Sequence, residues 1–534
     1  MKKLRVGIIG CGNRGGAHAQ GYFALGDRVE LAAVADTYLP AARRFKEQYG
    51  FKKVYTDYRE MLVKEKLDVV SMCLWPKLHR QAVVDCASLL HPPKLINAEK
   101  PMAPTFGEAL EMHNACVDRG IMLTFSHQRR FGWQYCRAKE LLDSGVIGKL
   151  ERMEMDCSNM FDWGTHWFDM MNFLNGDVEP SWIMAQIGCA ADVQVFGAQI
   201  ETAGVSYIKY TNGVTGLLTT GKGTGAPVLI RLEGSDGRID LGWKNIRILS
   251  AGKGWQEEIC PDGFPEDTTR HIAHCIDCLE GGRTPITGSD NALRATEMIF
   301  ATYLSSRTRK RVFMPLDIED SPLLTMLDQK ELVIPPWPTF VSDEEEEQGF
   351  KLFFNGKSLR GFTQKPLRSW KADNGLLRCA KEESVIWLDR NVGDFEIRFE
   401  HRLGSRSQAG FLFWGNPEKG ARSAFEIVLA DDRFEPLDTA VTAALRGMAA
   451  PVKNLGAQAA NWIWMRIRCR NGRLTVDSFG PKLLDVSLDE ISAAAKHSRS
   501  GALGFVLHSG TFDVRSVIYT ETPSEEEDGL PARR

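Results

Sequence analysis

The chain has 534 residues, more than one hydrophobic core usually organises, so two or three domains are expected. Its 43% hydrophobic and 25% charged residues are typical of globular proteins, and its formal net charge of -3 gives no reason to expect a nucleic-acid partner. No stretch reaches the roughly 18 apolar residues that a membrane-spanning helix requires, and the apolar run at 6–9 is too short for a signal peptide. We therefore expect a cytoplasmic protein that binds neither membranes nor nucleic acid.

Residues 1–124 alternate short apolar runs with amphipathic stretches, which predicts a parallel sheet covered by helices. The predicted strands read RVGIIG, VELAAVAD, DVVSMCLW, KLINAEK and IMLTFS. In such right-handed crossovers, the loops that carry chemistry lie at the carboxyl edge of the sheet.

Residues 125–330 show a different pattern, with strand-like runs separated by Gly and Asn turn signals. One helix (YCRAKELLDSG) precedes these runs, and a helix pair (DTTRHIAHCIDCLEGG and SDNALRATEMIFATYLSSRTRK) follows them. The pattern predicts an α+β domain with an open-faced, largely antiparallel sheet. Cys275 and Cys278 form a C-x-x-C within the first of that helix pair, where we interpret them as buried helix residues, and no metal site is predicted.

The prolines and the acidic run of residues 331–348 are typical of a linker with a solvated charge cluster. Residues 349–522 are rich in alternating strand-like segments, which predicts a β-sandwich. The last residues, 523–534, are predicted to be a disordered tail.

A glycine motif follows the first predicted strand, with Gly10, Gly12 and Gly15 surrounding Asn13 and Arg14. Glycines there permit a tight turn, close approach of the backbone to a pyrophosphate, and close helix packing, as in a dinucleotide-binding Rossmann domain.

The second predicted strand ends at Asp36, where a carboxylate accepts hydrogen bonds from the adenosine ribose and repels a 2'-phosphate. These features predict NAD rather than NADP. Arg43 and Arg44, further along, are either solvated helix charges or, if one reaches back, the basis of dual specificity.

Several motifs up to residue 316 resemble the glucose-fructose oxidoreductase and inositol dehydrogenase family (Gfo/Idh/MocA). They are VYTDYREML at 54–62, Pro76 with His79, INAEKP at 96–101, SHQRRF at 126–131, and Asp162-x-Gly164-x-His166-x-x-Asp169. The resemblance implies an NAD enzyme that moves hydride between nicotinamide and a secondary alcohol carbon of a sugar or cyclitol. It also implies a homo-oligomer formed through the exposed sheet of the second domain.

The resemblance assigns catalytic roles to Lys100, His166 and Asp162. Lys100 matches the family lysine that contacts nicotinamide ribose and the substrate hydroxyl, where it stabilises a developing alkoxide. His166 matches the residue that removes the hydroxyl proton. Asp162 precedes His166 by four residues, a spacing that on a helix places both on one face, so the carboxylate is expected to orient the ring or raise its basicity.

The remaining site residues lie beside these three. The cofactor is expected to contact Trp75, Pro76, His79, Glu99 and Lys100 in addition to the glycine motif. The substrate is expected to contact Lys100, His166, Trp163 and Trp167, although core packing explains the two tryptophans equally well. The segment before Asp162 is shorter than is common in the family, and Trp75 replaces a small residue, so the pocket itself is expected to differ.

The C-terminal region, from about 349 to 521, resembles the 3-keto-disaccharide hydrolase family, a concanavalin-like sandwich. The resemblance rests on GFKLFFNGKSLRGF at 349–362, WKADNGL at 370–376 and DFEIRFEHRL at 394–403. Glu426, Asp431 and Asp432 are candidates for a base or a cation site there, although adjacent aspartates at a strand end are more typical of a turn.

Together these features predict an NAD-dependent oxidoreductase that acts on a secondary hydroxyl, at C3, of a carbohydrate or glycoside. An alternative is a net glycoside hydrolase in which oxidation, elimination, hydration and reduction recycle the NAD and the sandwich aids cleavage. A third is a non-catalytic carbohydrate-binding protein.

Overall fold

The computed structural model describes residues 3–221, 229–432, 435–455, 461–478 and 482–521, and for residues 495 and 496 the backbone alone. The chain divides into two compact units, Met1–Ile334 and Pro335–Arg534. The predicted disordered tail lies outside the described residues. Within the described part of the chain, no helix combines the length and the apolar character needed to cross a bilayer.

The first unit begins with a parallel six-stranded sheet in the order β3-β2-β1-β4-β5-β6. Each strand is short, and all of them except the edge strand β3 are mostly buried, as expected of a sheet covered on both faces. The strands are β1 (Leu4–Ile9), β2 (Val29–Ala35), β3 (Lys53–Tyr55), β4 (Val69–Met72), β5 (Leu95–Ala98) and β6 (Met122–Phe125). The helices between them are α1 (Asn13–Phe23), α2 (Leu39–Tyr49), α3 (Tyr58–Glu65), α4 (Pro76–Ala87) and α5 (Phe106–Val117).

The rest of this unit is a nine-stranded sheet with helices packed on one face. Its order is β16-β15-β14-β13-β7-β12-β11-β8-β17, in which only β7 and β12 among the neighbouring pairs run parallel. The strands are β7 (Leu150–Cys157), β8 (Pro180–Gly188), β11 (Ala203–Tyr210), β12 (Thr215–Thr220), β13 (Ile230–Gly234), β14 (Gly237–Leu241), β15 (Asn245–Ser250), β16 (Gly254–Ile259) and β17 (Val312–Phe313), and the separate hairpin is β9 (Val193–Val195) with β10 (Ala198–Ile200). The helices are α6 (Trp133–Asp143), α7 (Trp163–Leu174), α8 (Asp267–Gly281), α9 (Ser289–Thr308) and α10 (Pro322–Asp328).

The second unit is built from an eight-stranded and a five-stranded antiparallel sheet whose inner faces share one aromatic core. Phe399 of the larger sheet packs on Phe411 and Phe505 of the smaller sheet, with ring centroids 6.0 and 5.2 Å away. The larger sheet holds β18 (Lys351–Leu352), β20 (Trp370–Asp373), β21 (Leu376–Cys379), β23 (Phe395–Leu403), β26 (Ile463–Arg470), β27 (Arg473–Asp477), β28 (Lys482–Ser487) and β30 (Phe512–Thr520). The smaller holds β19 (Phe362–Lys365), β22 (Ser384–Val392), β24 (Gln408–Gly415), β25 (Phe425–Ala430) and β29 (Gly501–Ser509).

The predicted fold class is confirmed: an α/β Rossmann domain, an α+β domain with an open-faced sheet, and a C-terminal β-sandwich. The predicted linker 331–348 differs from the structure, because its acidic run forms a short helix, α11 (Asp343–Glu347). Ser342 caps this helix with Glu345 in a reciprocal capping box, and the acidic side chains stand at the positive end of the helix dipole. The helix lies in the second unit, which already begins at Pro335.

Candidate active site at the carboxyl edge of the parallel sheet

Three glycines shape the turn between β1 and α1, each for a different reason. Gly10 has φ +96°, and a side chain on it would place Cβ 2.3 Å from the carbonyl oxygen of Cys73. A Cβ on Gly15 would lie 2.1 Å from the Gly10 carbonyl oxygen. A Cβ on Gly12, in contrast, would meet open space. The turn therefore leaves room at Gly12 for a pyrophosphate to approach the first N–H groups of α1, and exposed Asn13 and half-buried Arg14 begin that helix.

Asp36 lies just beyond the end of β2 and is tied to the same turn. Its carboxylate accepts hydrogen bonds from the backbone N–H groups of Cys11 (2.7 Å) and Tyr38 (2.8 Å). Arg44 reaches back from α2 to donate to the Cys11 carbonyl oxygen at 3.4 Å, whereas Arg43 is exposed. The glycine turn and Asp36 thus fit a bound dinucleotide, with Arg44 beside the ribose end.

Glu99 is a buried carboxylate that joins α1 to the ends of the parallel strands. It accepts hydrogen bonds from Arg14 Nε (2.6 Å) and His18 Nε2 (3.0 Å), while His18 also contacts Ser71 and Ser126. Burial alone would raise the pKa of Glu99, but Arg14 and His18 lower it well below the ordinary value. Glu99 is therefore a permanent anion that fixes Arg14 next to the cofactor turn.

Trp75, Pro76 and His79 surround the start of α4. Trp75 is half-buried and packs on Gly197 of the β9–β10 hairpin, whereas Pro76 is buried in the first helical turn. His79 is fully buried, and its ring nitrogens lie 3.1 and 3.0 Å from the carbonyl oxygens of Met102 and Leu74. Of these residues Trp75 is accessible to a cofactor, while His79 holds the two neighbouring loops together.

Lys100 follows Glu99 at the carboxyl end of β5 and forms an ion pair with Asp162. Its Nζ donates to the carboxylate Oδ1 at 2.5 Å and to the backbone carbonyl oxygen of Asp162 at 3.3 Å. Both side chains are largely buried. This ion pair joins two residues 62 positions apart in the chain. It lies at the carboxyl edge of the parallel sheet, where ligands bind in such folds.

His166 lies in the first turn of α7 and is buried. Burial and the nearby cations Lys100 and Arg129 lower its pKa well below the ordinary value, so the imidazole is neutral. Its Nδ1 has no hydrogen-bond partner within the described residues. The structure differs from the predicted pairing of Asp162 with His166, because Asp162 precedes α7 and its carboxylate binds Lys100 instead.

Arg129 stands among three indole rings, one of which the sequence did not indicate. Its guanidinium carbon lies 5.0 Å from the Trp163 ring centroid, 4.8 Å from that of Trp167 and 5.3 Å from that of Trp243. Trp167 is fully buried and donates its indole N–H to the carbonyl oxygen of Asp156, so it is a core residue. Trp163 is half-buried and Trp243 is 41% exposed, which leaves these two available to a sugar face.

Arg130 and Asp169 belong to a buried ionic network behind His166. Arg130 donates to both carboxylate oxygens of Asp169 at 2.9 and 2.8 Å and also binds Asp177. His127 Nδ1 lies 3.1 Å from Asp169, and its ring centroid is 6.1 Å from that of His166. This network holds α7 in place.

Glu201 is a buried carboxyl group that sequence reasoning missed. Its oxygens accept hydrogen bonds from the backbone N–H of Met160 (2.5 Å) and the hydroxyl of Tyr303 (2.6 Å). Burial raises its pKa to about 7. Asn159, next to Met160, accepts a hydrogen bond from the Asp162 N–H at 2.6 Å. Glu201 thus stabilises the segment that precedes Asp162. The residues around Glu201 in the sequence contain no motif that indicates this role.

Cys275 and Cys278 lie on α8 as buried free thiols. Burial raises the pKa of Cys275 to about 12. A thiol with so high a pKa is not a nucleophile at neutral pH.

Comparison with known families finds one match within each unit. Residues 4–127 match the oxidoreductase family with an NAD-binding Rossmann fold, Gfo/Idh/MocA, and residues 349–518 match the 3-keto-alpha-glucoside-1,2-lyase-like domain. The chain therefore carries one region similar to each family. Both resemblances are confirmed, and NAD is the cofactor of the Gfo/Idh/MocA domain.

Several proteins similar to the first unit are named as dehydrogenases. Myo-inositol 2-dehydrogenase of Thermotoga maritima is 25% identical over 253 residues, which are 44% of this chain and 74% of that enzyme. D-glucoside 3-dehydrogenase of Escherichia coli is 31% identical over 147 residues, 28% of this chain and 41% of that enzyme. An oxidoreductase from Agrobacterium radiobacter, solved with NAD+, L-tartaric acid and magnesium, shares the fold with a TM-score of 0.52 at 19% identity, over 58% of this chain and 98% of that one.

Proposed function

We propose that the chain oxidises a secondary hydroxyl of a sugar or glycoside, at C3, with NAD as the oxidant. The Lys100–Asp162 ion pair beside neutral His166, at the sheet edge that also carries the glycine turn, is the observation that carries this proposal. The name of the E. coli relative, a D-glucoside 3-dehydrogenase, supports the position of oxidation.

The chain's own groups divide the work of removing the hydroxyl proton. Neutral His166 is an acceptor for that proton, and its lowered pKa makes it a weak base unless the hydroxyl is acidified. The Lys100 ammonium supplies this acidification by stabilising the alkoxide oxygen, while Asp162 holds Lys100 in place. Bound NAD supplies the acceptor for the hydride from the carbinol carbon. Trp163 and Trp243 offer faces for the apolar side of the ring.

Replacing Lys100 with Met tests this assignment. We expect single-turnover reduction of the nicotinamide by a panel of glycosides and free sugars to fall at least about 1,000-fold, since a preorganised charge is removed. Lys94→Met is the matched control, because Lys94 is exposed and directly precedes the same strand at its other end. Undiminished reduction by the Lys100→Met protein overturns the assignment.

Net glycoside cleavage with recycled NAD is a second candidate, favoured by the 3-keto-alpha-glucoside-1,2-lyase-like match over residues 349–518. A C3 ketone acidifies the hydrogen on C2, so the aglycone at C1 can leave by elimination, and hydration and reduction then complete a hydrolysis. Release of aglycone without accumulation of NADH distinguishes this reaction from simple oxidation.

A homo-oligomer formed through the nine-stranded sheet remains a proposal, as does a cytoplasmic location. Met184 and Val205 are 53% and 41% exposed on the sheet face opposite the helices. Light scattering of the wild type and of Met184→Lys measures whether this face joins copies, since a buried lysine at that position opposes association.

A further inference from the structure

The outer face of the five-stranded sheet carries a cluster of three polar side chains outside the oxidoreductase unit. Glu426 of β25 lies 2.9 Å from His508 Nε2 of β29 and 2.8 Å from Arg446 Nη2. These side chains come from three separate segments of the sandwich. None of them serves the aromatic core, which lies on the opposite face of the same strands.

Gly410 explains how two strands that are not neighbours share this contact. β24 lies between β25 and β29, so their backbones are about 10 Å apart, twice the usual strand spacing. A Cβ on Gly410 of β24 would lie 2.3 Å from the Glu426 carboxylate oxygen. The missing side chain at Gly410 therefore opens the space in which Glu426 and His508 meet.

Arg446 is fixed at the edge of the same sheet. Residues 443–446 pair along β25, with the Arg446 N–H donating to the Glu426 carbonyl oxygen at 2.9 Å. The guanidinium Nε is buried and has no hydrogen-bond partner among the described residues. Such an orphan donor is costly unless a ligand satisfies it. The neighbouring side chains Leu412 and Val506 are buried and apolar, which strengthens charge interactions here.

We propose that Glu426, His508 and Arg446 form the site at which the sandwich eliminates the aglycone from a 3-keto-glycoside. With Nε2–H donating to Glu426, the imidazole keeps its lone pair on Nδ1 and acts as the base. The His508 side chain is 28% exposed, so a sugar can reach it. Arg446 supplies the donor for the negative charge that develops on the C3 oxygen.

The elimination balances without any further reactant. His508 takes the proton from C2, the electrons of that C–H bond form the C1=C2 double bond, and the C1–O bond to the aglycone breaks. The imidazolium then donates a proton to the aglycone oxygen, which leaves the imidazole neutral again. The products are an alcohol and an unsaturated 3-keto sugar. The choice of substrate rests on the proposed function of the first unit.

Supplying a substrate that is already a 3-ketone tests the elimination without the preceding oxidation. The full chain carrying Lys100→Met is given 4-nitrophenyl 3-keto-α-D-glucoside, and nitrophenol release above the protein-free rate is measured. We expect His508→Gln, added to this background, to lower the rate constant on the order of 100-fold, as loss of a general base does. Glu426→Gln and Arg446→Met should each lower it about tenfold, the size of one lost orienting or charge contact. In D2O, unreacted 3-keto-glycoside recovered from the parent reaction should also carry deuterium at C2.

Glu400→Gln is the matched control, because Glu400 pairs with Arg515 on the other sheet at 2.8 Å. This variant should keep the parent rate. A parent rate in folded His508→Gln and Glu426→Gln overturns the inference, as does a parent that releases no nitrophenol. If either variant fails to fold, Arg446→Met at the sheet edge decides in its place. Failure of the first unit's function is recorded separately, as absence of both NADH and released aglycone when the wild type receives an unoxidised glycoside.

Discussion

Each unit holds a histidine beside an ion-paired carboxylate, but the two surroundings differ. His166 is buried near the Lys100–Asp162 pair, and its Nδ1 has no partner within the described residues. His508 is partly exposed and bonds directly to Glu426, which also pairs with Arg446. Burial and nearby positive charge keep the first ring neutral, whereas a direct hydrogen bond orients the second. The comparison indicates two ways in which one chain prepares an imidazole to accept a proton.

The largest loss of stability is expected when one partner of a buried ion pair is removed, because the other charge is then left without a partner away from water. Arg130→Met leaves Asp169 buried without its main cation, so the free energy of unfolding of the first unit should fall by about 4 kcal/mol. Arg473→Met, which breaks the exposed Arg473–Asp485 pair of the sandwich, should cost under about 1 kcal/mol. Urea unfolding followed by tryptophan fluorescence measures both. Equal costs would mean that burial does not determine how much these two ion pairs stabilise the fold.

Burial of Glu201 in the first unit makes the free energy of unfolding depend on pH. Its pKa is raised from the ordinary value to about 7, so the folded protein keeps a proton that the unfolded chain has lost between pH 4.5 and 7. The free energy of unfolding should therefore fall across that window, by up to about 3 kcal/mol from this group. In Glu201→Gln this loss should be absent.

Urea unfolding of the wild type and Glu201→Gln at pH 5 and pH 8 measures the difference. Neighbouring Cys189, whose pKa burial raises to about 11, and Tyr303, whose pKa is raised further, do not titrate in this window. A stability difference between the two proteins that is the same at both pH values would contradict the assignment.

Whether the two sites work independently is tested by altering one site at a time and measuring both reactions. Asp162→Asn removes the anion that holds Lys100, and should lower kcat for glycoside oxidation about 100-fold, or about 2.7 kcal/mol. Cleavage of the preformed 3-keto-glycoside should be unchanged. Glu426→Gln should show the reverse pattern. A variant that slows both reactions equally would mean that the reactions share a site.

The smallest effect concerns two glycines. Gly12→Ala places a methyl group in the open space above the cofactor turn, and should weaken NAD binding about tenfold, or about 1.4 kcal/mol. Gly410→Ala should leave NAD binding unchanged and slow only ketone cleavage, because its Cβ meets Glu426. Calorimetric titration with NAD measures the first, and nitrophenol release the second. Equal NAD affinity in wild type and Gly12→Ala would contradict the placement of the pyrophosphate.

The sequence predicted those parts of the fold and site that local patterns encode. Strand and helix periodicity predicted all three domains, and the glycine turn with Asp36 predicted NAD. The motifs around Lys100 and His166 were recognised separately, and the structure brings both residues to one sheet edge. The capping box at Ser342 also had a local signal, Ser-x-x-Glu, but the acidic run concealed it.

Contacts made by tertiary packing could not be read from the sequence. Trp243, which lies in a loop 80 residues further along the chain, packs against Trp163. Glu201, which lies between β10 and β11, accepts a hydrogen bond from the backbone N–H of Met160. Asp162 has a spacing suited to His166, yet helix α7 begins one residue later and directs the carboxylate toward Lys100. Arg446 and His508 lack any motif that links them to Glu426.

Trp337 precedes the region that matches the sandwich family, and its contacts determine where a fragment containing the sandwich should begin. Its indole lies under Arg515, 3.5 Å from the guanidinium carbon, and donates to Ser516 at 2.9 Å, while its backbone packs on Gly375. A fragment cut at residue 349 would strip that indole away and expose the surface beneath it. Residue 335, rather than the family boundary, is therefore the starting point for moving this sandwich onto another protein.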